Sequence, residues 1–160
     1  MKILKATTPL HISEARKLFQ KYADWINVDL GFQHFEQELA EIDTIYGPPT
    51  GSLLLVKMEN KYVGCVAVRP IEGDICEMKR LYTDDAYRGM GIGRLLIAGI
   101  ITEARELNYQ RMRLDTLASM TAARKLYKSF GFQEIPAYYH NPLDDVVFME
   151  LNLTEDVLDG

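Results

Sequence analysis

The segment Arg88-Gly89-Met90-Gly91-Ile92-Gly93-Arg94 constrains this chain more than any other. It follows an apolar run, Ile75 to Tyr82, and opens a helical pattern in which Ile92, Leu95, Leu96 and Ile100 share one face. A strand must therefore turn into a helix within a few residues. Three glycines at that turn let the backbone approach a ligand closely, and the free N–H groups of a helix start attract an anion such as a pyrophosphate. A glycine-rich turn is equally a plain connection, so its surroundings decide how it is read. The dinucleotide fingerprint needs a third glycine where Arg94 stands, although Asp115 lies at a tolerable distance for a ribose ligand; the nucleotide P-loop needs Gly-Lys-Ser/Thr where Gly93-Arg94-Leu95 stands.

Around this turn the hydrophobic periodicity alternates. Met1 to Lys5 reads as a strand, and Thr7-Thr8-Pro9 starts a helix with Ala15, Leu18, Phe19, Tyr22 and Ile26 on one face. Phe32, Phe35, Leu39, Ile42 and Tyr46 predict a second amphipathic helix, ended by Gly47-Pro48-Pro49. Ser52 to Met58 and Tyr62 to Val68 form a hairpin around Glu59-Asn60-Lys61. In the next strand Cys76 and Met78 alternate properly, but Leu81 and Tyr82 are adjacent apolar residues, so the phase slips and a bulge is expected near Lys79 and Arg80. Arg111 to Asp115 is a strand. Ser119 or Thr121 caps a helix with the stripe Ala123, Leu126, Tyr127 and Phe130, closed by Gly131, and Phe132 to Ile135 and Val146 to Leu151 are the last strands. This order predicts an α/β fold, a mixed sheet with helices on both faces.

With 160 residues the chain has room for one sizeable core, and 48% hydrophobic against 26% charged residues is the balance of a soluble globular protein. Met1 to Leu10 has no apolar stretch of signal-peptide length and no later run reaches the length of a membrane span, so a cytoplasmic protein with no membrane partner is expected. A net charge of -5 with no dense Lys/Arg block argues against nucleic acid as the main partner and is weakly compatible with a cationic acceptor such as an amine. Cys65 and Cys76 lie within strands and read as reduced core residues; His11, His34 and His140 show no ligand spacing, so no metal is expected.

Arg88, Gly91 and Gly93 match motif A of the GNAT superfamily of N-acetyltransferases, Arg/Gln-x-x-Gly-x-Gly/Ala. Ala123-Arg124-Lys125-Leu126-Tyr127-Lys128-Ser129-Phe130-Gly131-Phe132 resembles its second signature, Ala-x-x-Leu-Tyr-x-x-x-Gly-Phe. The resemblance covers residues 1–153 as one acetyltransferase domain and leaves 154–160 as a short tail. It implies a mostly antiparallel, splayed sheet of about seven strands. Acetyl-CoA would lie between the strand ending at Tyr82 and the next one, its pyrophosphate on the amides of Gly89, Met90, Gly91, Ile92, Gly93 and Arg94, with Arg88 starting the loop. Its pantetheine arm would bond to the backbone at Leu81 and Tyr82 like an added strand. Many members carry Asn where this chain has Met120, so a side-chain bond to the cofactor is not carried over.

The resemblance also implies the chemistry. A primary amine with a pKa near ~10.4 is less than about one part in a thousand neutral at pH 7, and only the neutral form attacks a thioester. Glu77, just before the bulge where members often place a catalytic glutamate, is the expected base, acting directly or through a water; the competing reading pairs it with Lys79. Tyr127 matches the tyrosine that protonates the departing thiolate, though by spacing alone it is a core aromatic, and the Leu81 N–H is the expected oxyanion donor. The acceptor site would draw on the Trp25 to Phe35 connection and on the loop from Tyr138 to Asp145, His140 included. Amino acids, polyamines, antibiotics, peptide N-termini and lysines all remain open as acceptors, and a homodimer paired through the last strands is compatible with the pattern. Two rival readings use the same turn: a non-catalytic acetyl-CoA sensor, and a binder of ADP or NAD.

Overall fold

The computed structural model describes residues 1–27, 30–31 and 34–154. Along the chain the elements are β1 (Lys2–Lys5), α1 (Pro9–Ile26), α2 (Phe35–Ala40), α3 (Ile42–Ile45), β2 (Ser52–Met58), β3 (Lys61–Glu72), β4 (Ile75–Thr83), a single 3-10 turn (Asp85–Tyr87), α4 (Ile92–Glu106), β5 (Arg111–Leu117), α5 (Thr121–Ser129), β6 (Gln133–Ile135) and β7 (Val146–Asn152). The seven strands form one sheet in the order β1-β2-β3-β4-β5-β7-β6. Every neighbouring pair is antiparallel except β4 and β5. This is the α/β fold with a mixed, mostly antiparallel splayed sheet expected from the sequence.

Hydrophobic patterning places the helices. α4 buries Ile92, Leu96, Ile97, Ile100 and Ile101 on one face of the sheet, against Val66, Val68, Met78 and Met112, and Tyr127 of α5 joins that cluster. On the opposite face α1 lays Ala15, Leu18 and Phe19 over Leu53, Leu55, Cys65 and Ala67. The expected start of α1 takes the form of a capping box, in which the Thr8 hydroxyl accepts from the His11 amide and the His11 ring accepts from the Thr8 amide.

Two local expectations are corrected. The second helix is two short ones, because Glu41 leaves helical geometry at φ -124°, ψ 29° while its N–H still reaches back to Gln37 and Glu38; Phe35, Ile42 and Tyr46 keep their buried stripe, and Phe32 lies outside the described residues. Neither Ser119 nor Thr121 caps α5. Met120 occupies the cap position without a side-chain bond, and Thr121 turns its hydroxyl back to the Ser119 carbonyl.

The bulge in β4 is present where the slipped phase placed it. Cys65 pairs with Tyr82 and Ala67 with Lys79, so two steps on β3 face three on β4. Arg80 takes up the extra residue at φ 61°, a left-handed geometry that costs most side chains about 1 kcal/mol or more. What holds it there is the Glu38 carboxylate from α2, which accepts from Arg80 Nε at 2.9 Å and Nη2 at 2.7 Å, while Tyr22 and Phe35 flank the guanidinium.

Candidate active site

The parallel pair decides where a ligand can enter. β4 and β5 are paired only at Ile75 with Arg111, Cys76 with Met112 and Glu77 with Arg113. Beyond that point each strand runs on, β4 to Thr83 and β5 to Leu117, and a cleft of about 440 Å³ opens between them. Sheet amides that have lost a neighbour must find another partner, which makes the inner edge of β4 a docking edge for an extended polar chain.

At one end of the cleft lies the glycine-rich turn. Gly89 and Gly91 adopt φ 83° and 84°, and Gly91 is the residue from which α4 starts, its carbonyl accepting from the Leu95 amide. The amides that follow have no partner within the helix and point out of its positive end, the arrangement an anionic phosphate requires. At Gly93 a Cβ would meet Leu126 Cδ2 at 3.4 Å, an ordinary van der Waals contact, so α4 and α5 pack closely here without demanding glycine. Arg88 is held by several contacts, one of them with the Tyr82 ring. Its Nε donates to the Thr83 carbonyl at 3.0 Å, it pairs with Asp85 at 2.9 Å, and its guanidinium lies 4.3 Å above the Trp25 ring.

Leu81, Tyr82, Arg88, Gly89, Gly91, Ile92, Gly93, Arg94 and Tyr127 all line this cleft. Met90 does not; it is 48% exposed on the outside of the turn. The Tyr127 hydroxyl makes no hydrogen bond to another described residue. Burial, with smaller contributions from Tyr22 and Asp115, pushes its pKa well above the usual phenol range, so the group keeps its proton.

Glu77 is not among the residues that line the cleft. It is 3% exposed, at the last paired position of the fork. Arg69 Nε donates to its Oε1 at 3.0 Å, with Arg69 Nη2 also at 3.0 Å, and the Tyr138 hydroxyl donates to its Oε2 at 2.6 Å. Burial works to raise its pKa, but the Lys79 ammonium, the Tyr138 hydroxyl and Arg69 together outweigh it and hold the carboxyl below the usual range. Tyr138 also lies over the Arg113 guanidinium and packs on Tyr139 and Phe148, so Glu77 anchors the connection between β6 and β7 to the sheet.

The acidic side chain that does line the cleft, alone of its kind among the described residues, is Asp115, whose Oδ2 accepts from the Tyr139 hydroxyl at 2.7 Å. Lys79 lines it too, and burial, followed by the neighbouring Arg80, pulls its pKa down while Glu77 and Asp115 oppose the shift. From the sequence Asp115 reads only as a ribose ligand and Lys79 only as a partner for Glu77. The available signal was a charged residue on each of two apolar strands, but only the register reveals that they meet. Trp25, Ile26, Leu30, Asn141 and Leu143, from the two segments expected to hold an acceptor, complete the far wall together with Tyr22 of α1; residues 28–29 and 32–33 of the first segment lie outside the described residues, and His140 is exposed and outside the wall. Cys65 and Cys76 are buried free thiols; burial pushes Cys76 up to about 12 and Cys65 higher still, which removes both as nucleophiles. No helix among the described residues is long and apolar enough to cross a membrane.

The comparisons with known proteins agree with this geometry. The profile of the acetyltransferase (GNAT) family matches residues 14–132. An uncharacterized N-acetyltransferase of Schizosaccharomyces pombe is 42% identical over 149 residues, covering 92% of this chain and 91% of that protein. The human protein named N-acetylaspartate synthetase is 36% identical over 120 residues, which is 74% of this chain and 39% of that longer one. Among solved structures, a GNAT-family acetyltransferase of Staphylococcus aureus superposes with a TM-score of 0.78 over 96% of this chain and 99% of its own, and at 21% identity this likeness speaks to the fold alone. The chain belongs to the GNAT family of acetyltransferases.

Proposed function

We propose that this protein transfers the acetyl group of acetyl-CoA directly to a primary amine while both are bound in the cleft. One observation carries the reading: the phosphate-competent start of α4 and the Tyr127 hydroxyl, which has no hydrogen-bond partner among the described residues, line the cleft along the stretch of β4 that β5 leaves unpaired. The cosubstrate's pyrophosphate would take the amides from Gly89 to Arg94, and its pantetheine arm the backbone at Leu81 and Tyr82. As the amine nitrogen bonds to the thioester carbon, the Leu81 N–H receives the charge developing on oxygen. The carbon–sulfur bond then breaks, and Tyr127 gives its proton to the departing thiolate. The amine enters largely as an ammonium and loses two protons: Asp115, the carboxylate in the wall, takes the first before attack and passes it to solvent, the second leaves to solvent once the carbon–nitrogen bond has formed, and solvent reprotonates Tyr127 between turnovers. Glu77, with both oxygens engaged, serves as a positioning residue for the loop that carries Tyr138 and Asn141.

Calorimetric titration with acetyl-CoA, with ADP and NAD as controls, followed on the same sample by thiol release against an amine panel, tests this. The panel includes aspartate because relatives are named for its acetylated form. Selective acetyl-CoA binding and thiol release with at least one amine are expected, with Tyr127→Phe slowing kcat roughly 10- to 100-fold without abolishing it. Equal affinity for ADP overturns the cosubstrate, and binding without release on any amine favours a sensing module.

A further inference from the structure

Lys79 and Asp115 occupy equivalent positions on the two strands of the fork. Glu77 and Arg113 are the last residues paired between β4 and β5, and Lys79 and Asp115 each lie two residues further on. A step of two returns a side chain to the same face of a sheet. Both therefore project on the face that carries Glu77 and Arg113, the first pair to face each other where the strands have parted, and both line the cleft. The result is a cation and an anion set on opposite sides of the opening. Tyr127 reaches the same opening from α5, close enough for Asp115 to bear on it electrostatically.

We infer that Lys79 and Asp115 form a zwitterion site and that the acceptor amine is a free α-amino acid, its carboxylate held by Lys79 and its amino group by Asp115. An α-amino acid carries its two charges one carbon apart, so a ligand in the fork satisfies both walls at once and presents its nitrogen on the Asp115 side, where Tyr127 reaches the opening. A polyamine, a lysine side chain or a peptide N-terminus brings an ammonium without the adjoining carboxylate and sets a like charge beside Lys79. Burial strengthens this discrimination. A side chain as enclosed as Lys79, 8% exposed, is attracted to an anion more strongly than a surface lysine, because little water screens the pair. Tyr22, Trp25, Leu30 and Leu143 supply a mostly aromatic and aliphatic wall for the remainder of the acceptor. The inference rests on the proposed acetyl transfer for its meaning but is read by binding, so the two can fail separately.

The experiment titrates the protein, saturated with coenzyme A, with the common free α-amino acids, with the α-amide of each that binds, and with spermidine. At least one free amino acid should bind, with its amide weaker by roughly 10- to 100-fold, the range of a charge-assisted hydrogen bond. Lys79→Met should bring acid and amide within about threefold of each other, Lys79→Arg should retain the preference, and Asp115→Asn should weaken both alike; acetyl-CoA affinity stays put in all three. If Lys79→Met does not fold, Lys79→Arg and Asp115→Asn carry the comparison. Binding of the amide or of spermidine as tightly as the free acid, a preference untouched in Lys79→Met, or no binding by any free amino acid overturns the site. Thiol release with amines irrespective of a carboxylate would overturn it too and leave the transferase reading standing. Selective binding without any thiol release would do the reverse.

Discussion

Glu38 is a buried carboxylate that accepts two donors of Arg80 and the Tyr46 hydroxyl at 2.9 Å, and it is what keeps Arg80 in left-handed geometry at the bulge. Removing one partner of such a pair strands the other charge, so Glu38→Ala should cost about 3–5 kcal/mol in urea unfolding. Burial alone would raise the Glu38 pKa, but the Arg80 fork outweighs it and leaves the folded value below the unfolded one. Its stabilisation is therefore complete above the unfolded carboxyl pKa of ~4.3 and is lost as pH falls through the folded value. Urea midpoints at pH 7 and pH 3 should converge in Glu38→Gln relative to the parent protein. Glu77 has the same sign of shift and a different test. As a positioning residue, Glu77→Gln should depress kcat/KM by a similar factor at every pH and raise KM for the amine with acetyl-CoA affinity unchanged; recovery of the rate at alkaline pH would restore the role of base. The sequence made Glu77 conspicuous because a charge in a buried strand is rare, but its local context could not tell a base from an anchor. Arg69, Tyr138 and Glu77 come from three separate elements, and only folding joins them.

Among the elements, the turn into α4 is where local sequence and the proposed cosubstrate site coincide. Gly91 sits at φ 84° with open space around a would-be Cβ, so Gly91→Ala is strained by its backbone alone. The change should cost about 1 kcal/mol of stability and, by rotating the amides that follow, roughly tenfold in acetyl-CoA affinity. Gly73, at φ 53° in the turn between β3 and β4 and equally unobstructed, is the control: Gly73→Ala should cost comparable stability and leave the affinity alone. Titration calorimetry with thermal melts reads both quantities. The bulge in β4 was legible because adjacent Leu81 and Tyr82 break a period of two, which is itself local information. The break at Glu41 and the uncapped start of α5 were not. Each depends on how a short helix is received by its neighbours rather than on its own pattern, and Met120, which replaces an expected cap, faces the cleft and accepts weakly from Thr116 at 3.7 Å.

At the scale of the whole molecule, the sheet is one body that a ligand wedged into its fork should tighten. Acetyl-CoA at a hundred times its Kd stabilises the folded state by about 2.7 kcal/mol if it binds that state alone. For a chain of 160 residues this corresponds to a rise in Tm of roughly 5–10 °C in a calorimetric scan. ADP at the same concentration should give a smaller shift, because it leaves the inner edge of β4 without its added strand. A shift equal to that of acetyl-CoA would show that the edge contributes nothing. The sequence by itself determined the order of the strands and long helices, the helices on both faces, the slipped strand and the glycine-rich turn into α4, since each follows from periodicity or from glycine within a few residues. Only the tertiary structure decided that Glu77 is held by Arg69 and Tyr138 and that Lys79 and Asp115 line one cleft from two strands. Those relations depend on the register of a parallel pair that ends after three residues, and strand register is set by packing across the sheet, which no local window of the chain contains.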